Sequence, residues 1–143
     1  MESKATTIAR ILLGFIFFFF GLNGYLHFLP QPPMAGPAAQ FMGGLAASGY
    51  FFPLLMATEL VAGIALLARR FVPLGLVALA PVIVNIVAFH LFLAPAGFPL
   101  AILVFALGTF LVWSYRSAFR PLLKARHDSA ALASEPANRV KAA

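Results

Sequence analysis

Five side chains of this 143-residue sequence are of types that do chemistry yet stand in almost wholly apolar surroundings: Asn23, His27, Glu59, Asn85 and His90. An ionisable or amide group in hydrocarbon is costly and normally turns toward the interior of a helix bundle, so a binding site is sought there first. A carboxyl, two amides and two imidazoles can grip the polar head of an apolar ligand, relay a proton, or ligate a metal or a haem. Counted inward along ideal helices, Asn23, Glu59 and Asn85 lie roughly 9–12 Å below one membrane boundary, and the two histidines roughly 3–5 Å below it. The result is a deep layer of carboxyl and amides with a shallow layer of histidines at its mouth. Asn23 and His27 are spaced i, i+4 and share a helix face. Asn85 and His90 are spaced i, i+5, diverge by roughly 140° on an ideal helix, and cannot both point at a bundle axis without local distortion.

Glu59 carries two readings. As a structural group it hydrogen-bonds to Asn23 or Asn85 and fixes helix register, as interhelical polar pairs do in membranes. As a functional group it titrates or holds a ligand's polar head. The histidines invite haem b, with one axial imidazole from each of two helices, or a metal shared with Glu59. Haem has no further support in the sequence, and Glu59 sits about two turns deeper than the histidines, too far for a shared ion without distortion. Both ideas are weaker than a plain one, in which histidines near the boundary reach for water or headgroups. Thr58, Thr109 and Ser114 complete the polar inventory of the apolar stretches, and His127 lies beyond them. With no cysteine there is no disulfide, thiolate metal site or iron–sulfur cluster. No phosphate-binding glycine loop, Ser–His–Asp set or glycosidase-type carboxylate pair can be assembled.

The elements that must position these groups are membrane helices. The composition is 62% hydrophobic and 10% charged, too little charge for the skin of a soluble domain. Apolar stretches run over about 7–29, 51–68, 71–93 and 98–115, each long enough to cross a core of about 30 Å. The expected fold is all-α, an integral membrane four-helix bundle in one domain over 1–123. Residues 124–143 form a basic tail without apolar periodicity, expected to be disordered and cytoplasmic. Lys4 and Arg10 precede the first stretch like the start of a signal peptide. The apolar run continues through Leu22 without a small-x-small cleavage site, so it is expected to stay as an anchor.

Charge orients the bundle. All ten Lys and Arg fall on one side of a four-span arrangement: ahead of the first span, at Arg69 and Arg70 between the second and third, and after the fourth. That side is the cytoplasmic one, so both termini are expected there. The same clustering at helix ends and in the tail argues against a nucleic-acid surface. Trp113 and Tyr115 fit the aromatic belt of that interface. On the other side Pro30, Pro32 and Pro33 break the chain, and Gly36-Pro37 opens a short interfacial helix that ends near Gly49, either a lid over the bundle or a linker. Pro53, Pro73 and Pro99 fall in first turns, whereas Pro81 lies mid-helix, where it removes the donor for the Val77 carbonyl and a kink is expected. Phe15 and Phe17 to Phe20 wrap around the first helix, so most of them are expected to face lipid.

At its polar positions the chain resembles the DoxX family of small bacterial membrane proteins. The likeness is carried by Gly21-Leu22-Asn23 through His27-Phe28-Leu29-Pro30, by Glu59-Leu60-Val61-Ala62-Gly63, by Arg70-Phe71-Val72-Pro73, and by Pro81 to Asn85 leading to Phe89-His90. It covers about Ile8 to Leu123, and it departs at Gly24, where many relatives have a Lys. The resemblance implies a four-helix protein of the bacterial inner membrane with the same Asn, Glu and His residues as its pocket. Part of the wider group is linked with quinone-dependent sulfur oxidation and oxidative-stress complexes, which implies a quinone or a redox partner.

Two functions from different classes follow. In one, the bundle binds a small apolar ligand with a polar head, quinone-like, held by Glu59 and the amides, with a histidine relaying protons outward. In the other it is an accessory or scaffold subunit whose polar cluster only fixes helix packing. The chain brings no redox centre of its own, so it reads as a subunit of a quinone-linked oxidoreductase rather than an enzyme alone. Besides the bilayer, its partners would be a membrane or redox protein or a second copy of itself.

Overall fold

A computed structural model describes residues 3–30 and 33–123, so the tail expectation at 124–143 lies outside the described residues. The described chain is helical, with no strand. In order come α1 (Lys4–Leu26), α2 (Gly36–Ala47), α3 (Phe51–Leu67), α4 (Val72–Phe92), a 3₁₀ turn (Pro95–Gly97), α5 (Phe98–Ser114) and α6 (Arg116–Phe119), then a short 3₁₀ turn (Arg120–Leu123). Lys4–Leu26, Val72–Phe92 and Pro95–Ser114 are long and apolar enough to cross a membrane; α2 and α3, bent by 90° at their junction, make a fourth span if counted as one.

The helix boundaries have local causes. Ser3 caps α1, its hydroxyl accepting from the Thr6 N–H at 3.1 Å. The helix ends at Leu26, three residues before the sequence pattern suggests, because His27 turns left-handed at φ 52° and donates its N–H to the Asn23 carbonyl at 2.7 Å. Between α3 and α4 the chain closes a Schellman turn. Arg70 N–H bonds to the Ala65 carbonyl at 3.0 Å and Arg69 N–H to Leu66 at 3.2 Å, with Arg69 left-handed at φ 56°. Proline stands in the first turn of α2, α4 and α5, and α4 runs on through Pro81.

The four long helices pack in a ring, α1 against α3 and α5, and α4 against α3 and α5. The α1/α3 contact is the most intimate and depends on missing side chains. A Cβ at Gly63 would lie 2.7 Å from the Phe18 nitrogen and 3.0 Å from the Gly14 carbonyl oxygen, so the two backbones touch there. Close approach through glycine is how helices gain packing in lipid, where no hydrophobic drive pushes them together. Leu13, Phe17, Leu66, Leu79 and Leu111 fill the centre. The outside is apolar as well, with Val61, Leu74 and Phe92 all well exposed. Of the phenylalanine run, Phe15 and Phe20 face outward, Phe18 and Phe19 are half-buried, and Phe17 is inside.

One cation departs from its expected place. Arg10, which the charge pattern puts ahead of the first span, lies within α1 and is buried. Its guanidinium donates to the Leu66 carbonyl and, at 3.3 Å, to that of Leu67. These carbonyls belong to the last turn of α3, where the helix dipole is partly negative, so a cation from the neighbouring helix adds to the N–H of Arg69 that Leu66 already accepts. The Thr6 hydroxyl lies 3.5 Å from that of Ser114, which places the start of α1 and the end of α5 at the same, basic end of the bundle.

Candidate functional site

The site is a partly open cavity of about 240 Å³ lined by all four long helices, toward the end opposite the basic one. Helix α1 supplies Ile16, Phe17 and Phe20, α5 supplies Leu100 and Val104, and α4 supplies Ile86 beside His90. Only Glu59 of α3 and His90 bring ionisable groups into it. Among the described residues nothing hydrogen-bonds or ion-pairs with the Glu59 carboxyl.

Each of the two polar side chains is positioned by a glycine. A Cβ at Gly21 would lie 3.0 Å from the Leu60 nitrogen and 3.1 Å from the Glu59 Cβ, so α1 presses on α3 at the level of the carboxyl. The His90 ring lies against Gly97, with no space for a methyl between them. Its Nδ1 is 2.9 Å from the Ala94 carbonyl oxygen. A carbonyl only accepts, so Nδ1 carries a proton there, and Nε2 is the ring nitrogen left to meet a ligand. The Phe89 ring packs edge-on to it, with centroids 5.3 Å apart. Carboxyl and imidazole can thus meet a ligand that presents a hydroxyl and a carbonyl, or two hydroxyls.

The other three candidates lie elsewhere. Asn23 is buried, but its side-chain oxygen accepts from the Leu29 N–H at 2.8 Å while its carbonyl takes the His27 N–H, so its acceptors close the end of α1. His27 is exposed at that end, its Nδ1 3.1 Å from the Tyr25 carbonyl, and does not line the cavity. Asn85 is exposed on another side of α4 and lines a separate cavity with α2 and α3, as the angle between positions 85 and 90 requires. Among the described residues no three of His, Cys, Asp and Glu come together.

Sequence reasoning missed the supports: Gly21, Gly97 and the inward turn of Phe17. Their residue types signal nothing by themselves, because a glycine near a helix end or a phenylalanine in a phenylalanine run has an ordinary explanation. Compared with protein families, curated proteins and solved structures, the chain matches none.

Proposed function

We propose that this chain is a DoxX-like four-helix protein of the bacterial inner membrane, with both termini cytoplasmic. It binds a small apolar ligand with a polar head, quinone-like, as part of a redox-linked system. The reading rests on one observation: Glu59 and His90, from different helices, face one cavity whose other walls are apolar. Few convergent polar groups in a mostly apolar chamber are the usual make-up of a small-molecule site. A cavity of about 150 Å³ takes benzene, so 240 Å³ suits one substituted ring, with its tail leaving between helices. The His90 Nε2 accepts from a hydroxyl, and the Glu59 carboxyl, which donates or accepts with its protonation, faces the second oxygen. Electrons come from a partner, since the chain brings no redox centre.

In the scaffold reading the polar residues only hold helices together; Asn23, whose oxygens accept from backbone donors at the end of its own helix, is structural but joins no second helix. Glu59 and His90 separate the two readings. Purified protein in mild detergent is melted with and without a short-chain ubiquinone and a menaquinone analogue. Binding to the folded state stabilises it by about 2.7 kcal/mol at one hundred times the dissociation constant. Glu59→Leu and His90→Ala should shrink the shift, and Thr109→Ala, on another face of the bundle, should leave it intact. A shift that survives Glu59→Leu, or no shift with either analogue, leaves the scaffold reading.

A further inference from the structure

The walls of the Glu59 and His90 cavity are not equally closed. Of its liners only Phe20 of α1 and Leu100 of α5 are exposed, each by 42%. Glu59, Ile86 and His90 are half-buried, and Phe17 is buried. The two exposed liners belong to the helices that meet at Thr6 and Ser114. Those helices run antiparallel, and each liner lies fourteen positions from that contact, Thr6 to Phe20 and Ser114 to Leu100, about 21 Å along its helix. Fourteen residues are close to four whole turns, so Phe20 and Leu100 return to the same seam at the same depth.

On its other sides the cavity meets packed protein. Between α1 and α3 the Gly21 backbone rests on Leu60 and Glu59. Between α4 and α5 the chain itself fills the gap, since Pro95–Gly97 links the two helices and Gly97 lies against the His90 ring. Behind Glu59 and Ile86, α3 packs on α4. Toward the basic end stand the buried Leu13, Leu66 and Leu79. The seam between α1 and α5 is what remains.

The opening is thus framed by a phenyl ring and an isobutyl group. Phe20 lies six residues, about 9 Å, inside the end of α1 at Leu26, a depth at which acyl chains cover the side of a membrane bundle. A water-soluble solute would have to cross hydrocarbon to enter there, whereas a molecule dissolved in the leaflet meets the opening directly. We infer that the cavity opens sideways into the leaflet away from the basic end, through the α1/α5 seam between Phe20 and Leu100. Its ligand is lipid-dissolved and long-tailed, with the head turned inward to Glu59 and His90 and the tail left outside between Phe20 and Leu100. The identity of the head rests on the function proposed above; the route rests on the walls alone.

The test uses the full chain in phosphatidylcholine nanodiscs, and its first arm needs no ligand. A nitroxide is attached at Ile86→Cys, inside the cavity, and its collisions with dissolved oxygen and with a water-soluble nickel chelate are measured. Ile16→Cys, another liner, repeats the measurement where Ile86→Cys does not fold. Labels at the exposed Leu103→Cys and Ala35→Cys set the hydrocarbon and aqueous limits. The cavity label should follow Leu103, meeting oxygen freely and nickel hardly at all. Leu100→Trp, which fills the seam, should remove most of the oxygen collisions. Val61→Trp, exposed on α3 beside α4, should leave them unchanged. Nickel collisions that match Ala35, or silence toward both reagents, overturn the route. In the second arm a benzoquinone with a diazirine on its decyl tail is photolysed in the discs and the labelled peptides are mapped by mass spectrometry. Label should fall on α1 and α5 around Phe20 and Leu100; label confined to α3 and α4 overturns the route. A quinone-dependent melting shift with a nickel-accessible cavity would sink the route and keep the quinone reading. Oxygen access with no such shift would keep the route and sink the quinone head.

Discussion

The guanidinium of Arg10 donates to the carbonyl of Leu66, so a residue in the second turn of one helix completes the last turn of another. A hydrogen bond from a charged donor contributes about 1.5–3 kcal/mol, and the helix C-terminus adds to it here. Arg10→Ala should therefore lower the stability of the detergent-solubilised protein by about that amount. Arg10→Lys should fall between, because one ammonium on a flexible stem does not reproduce the planar fork that reaches both Leu66 and Leu67. Thermal melts that coincide for wild type and Arg10→Ala would show that the contact contributes nothing.

Glycines at two places should respond oppositely to the same change. Gly63→Ala forces a methyl against the Phe18 backbone and should cost about 1–3 kcal/mol. Gly44→Ala, inside α2 with nothing within 4 Å of the new methyl, should be neutral or stabilising by up to about 1 kcal/mol. Equal melting temperatures for the two variants would argue that α1 and α3 do not cross through glycine.

Membrane orientation is open to direct chemistry because the chain has no cysteine. Single cysteines at Ala35 and Ala94 should react with a membrane-impermeant thiol reagent from outside intact cells. Those at Ser3 and Ser117 should react only after the membrane is opened. Labelling of Ser117→Cys in intact cells would reverse the orientation drawn from the charges.

Much of the fold was legible because it is written in runs and breakers. The stretches read at 51–68, 71–93 and 98–115 lie within a residue of Phe51–Leu67, Val72–Phe92 and Phe98–Ser114, and Gly36-Pro37 does open a helix. Those limits follow from hydropathy and proline, which act locally. The partnership of Arg10 was not legible, since a cation near a helix start serves equally as a topology signal and nothing local announces the carbonyls of Leu66 and Leu67. The site divided in the same way. The i, i+5 spacing of Asn85 and His90 already kept them apart, but the shared face of Asn23 and His27 assumed a helix reaching 29. Once His27 leaves the helix, its side chain leaves that face.

Glu59 offers a stability test that separates its two readings. A register-fixing carboxyl should cost about 0.5–2 kcal/mol when replaced by leucine. Asn23 is engaged by Leu29, and Asn85 lines a different cavity. Replacing a half-buried carboxyl that lacks a protein partner by an apolar side chain removes its desolvation cost and breaks no bond, so it is neutral or stabilising. Glu59→Leu should therefore melt at the wild-type temperature or above while losing the quinone-dependent shift. A drop in melting temperature would restore the register-fixing role.

Gly97 tests whether the orientation of His90 matters, without altering His90 itself. Its backbone, at φ −88° and ψ 0°, is open to any residue, so Gly97→Ala introduces no backbone strain and acts only through its methyl group. That methyl falls on the imidazole, and the ring must swing away, breaking the Nδ1–H bond to the Ala94 carbonyl. Overpacking of this kind costs about 1–3 kcal/mol, at the low end here because a short turn yields more easily than a helix. Two readouts should move together. Nitrogen NMR of the ring should show Nδ1 protonated in the wild type and a mixture of tautomers in the variant. The quinone-dependent melting shift should fall toward that of His90→Ala. A tautomer change with an intact shift would mean that His90 lines the cavity without holding the ligand. An unchanged tautomer would mean that the ring tolerates the methyl and that Gly97 is not what places it.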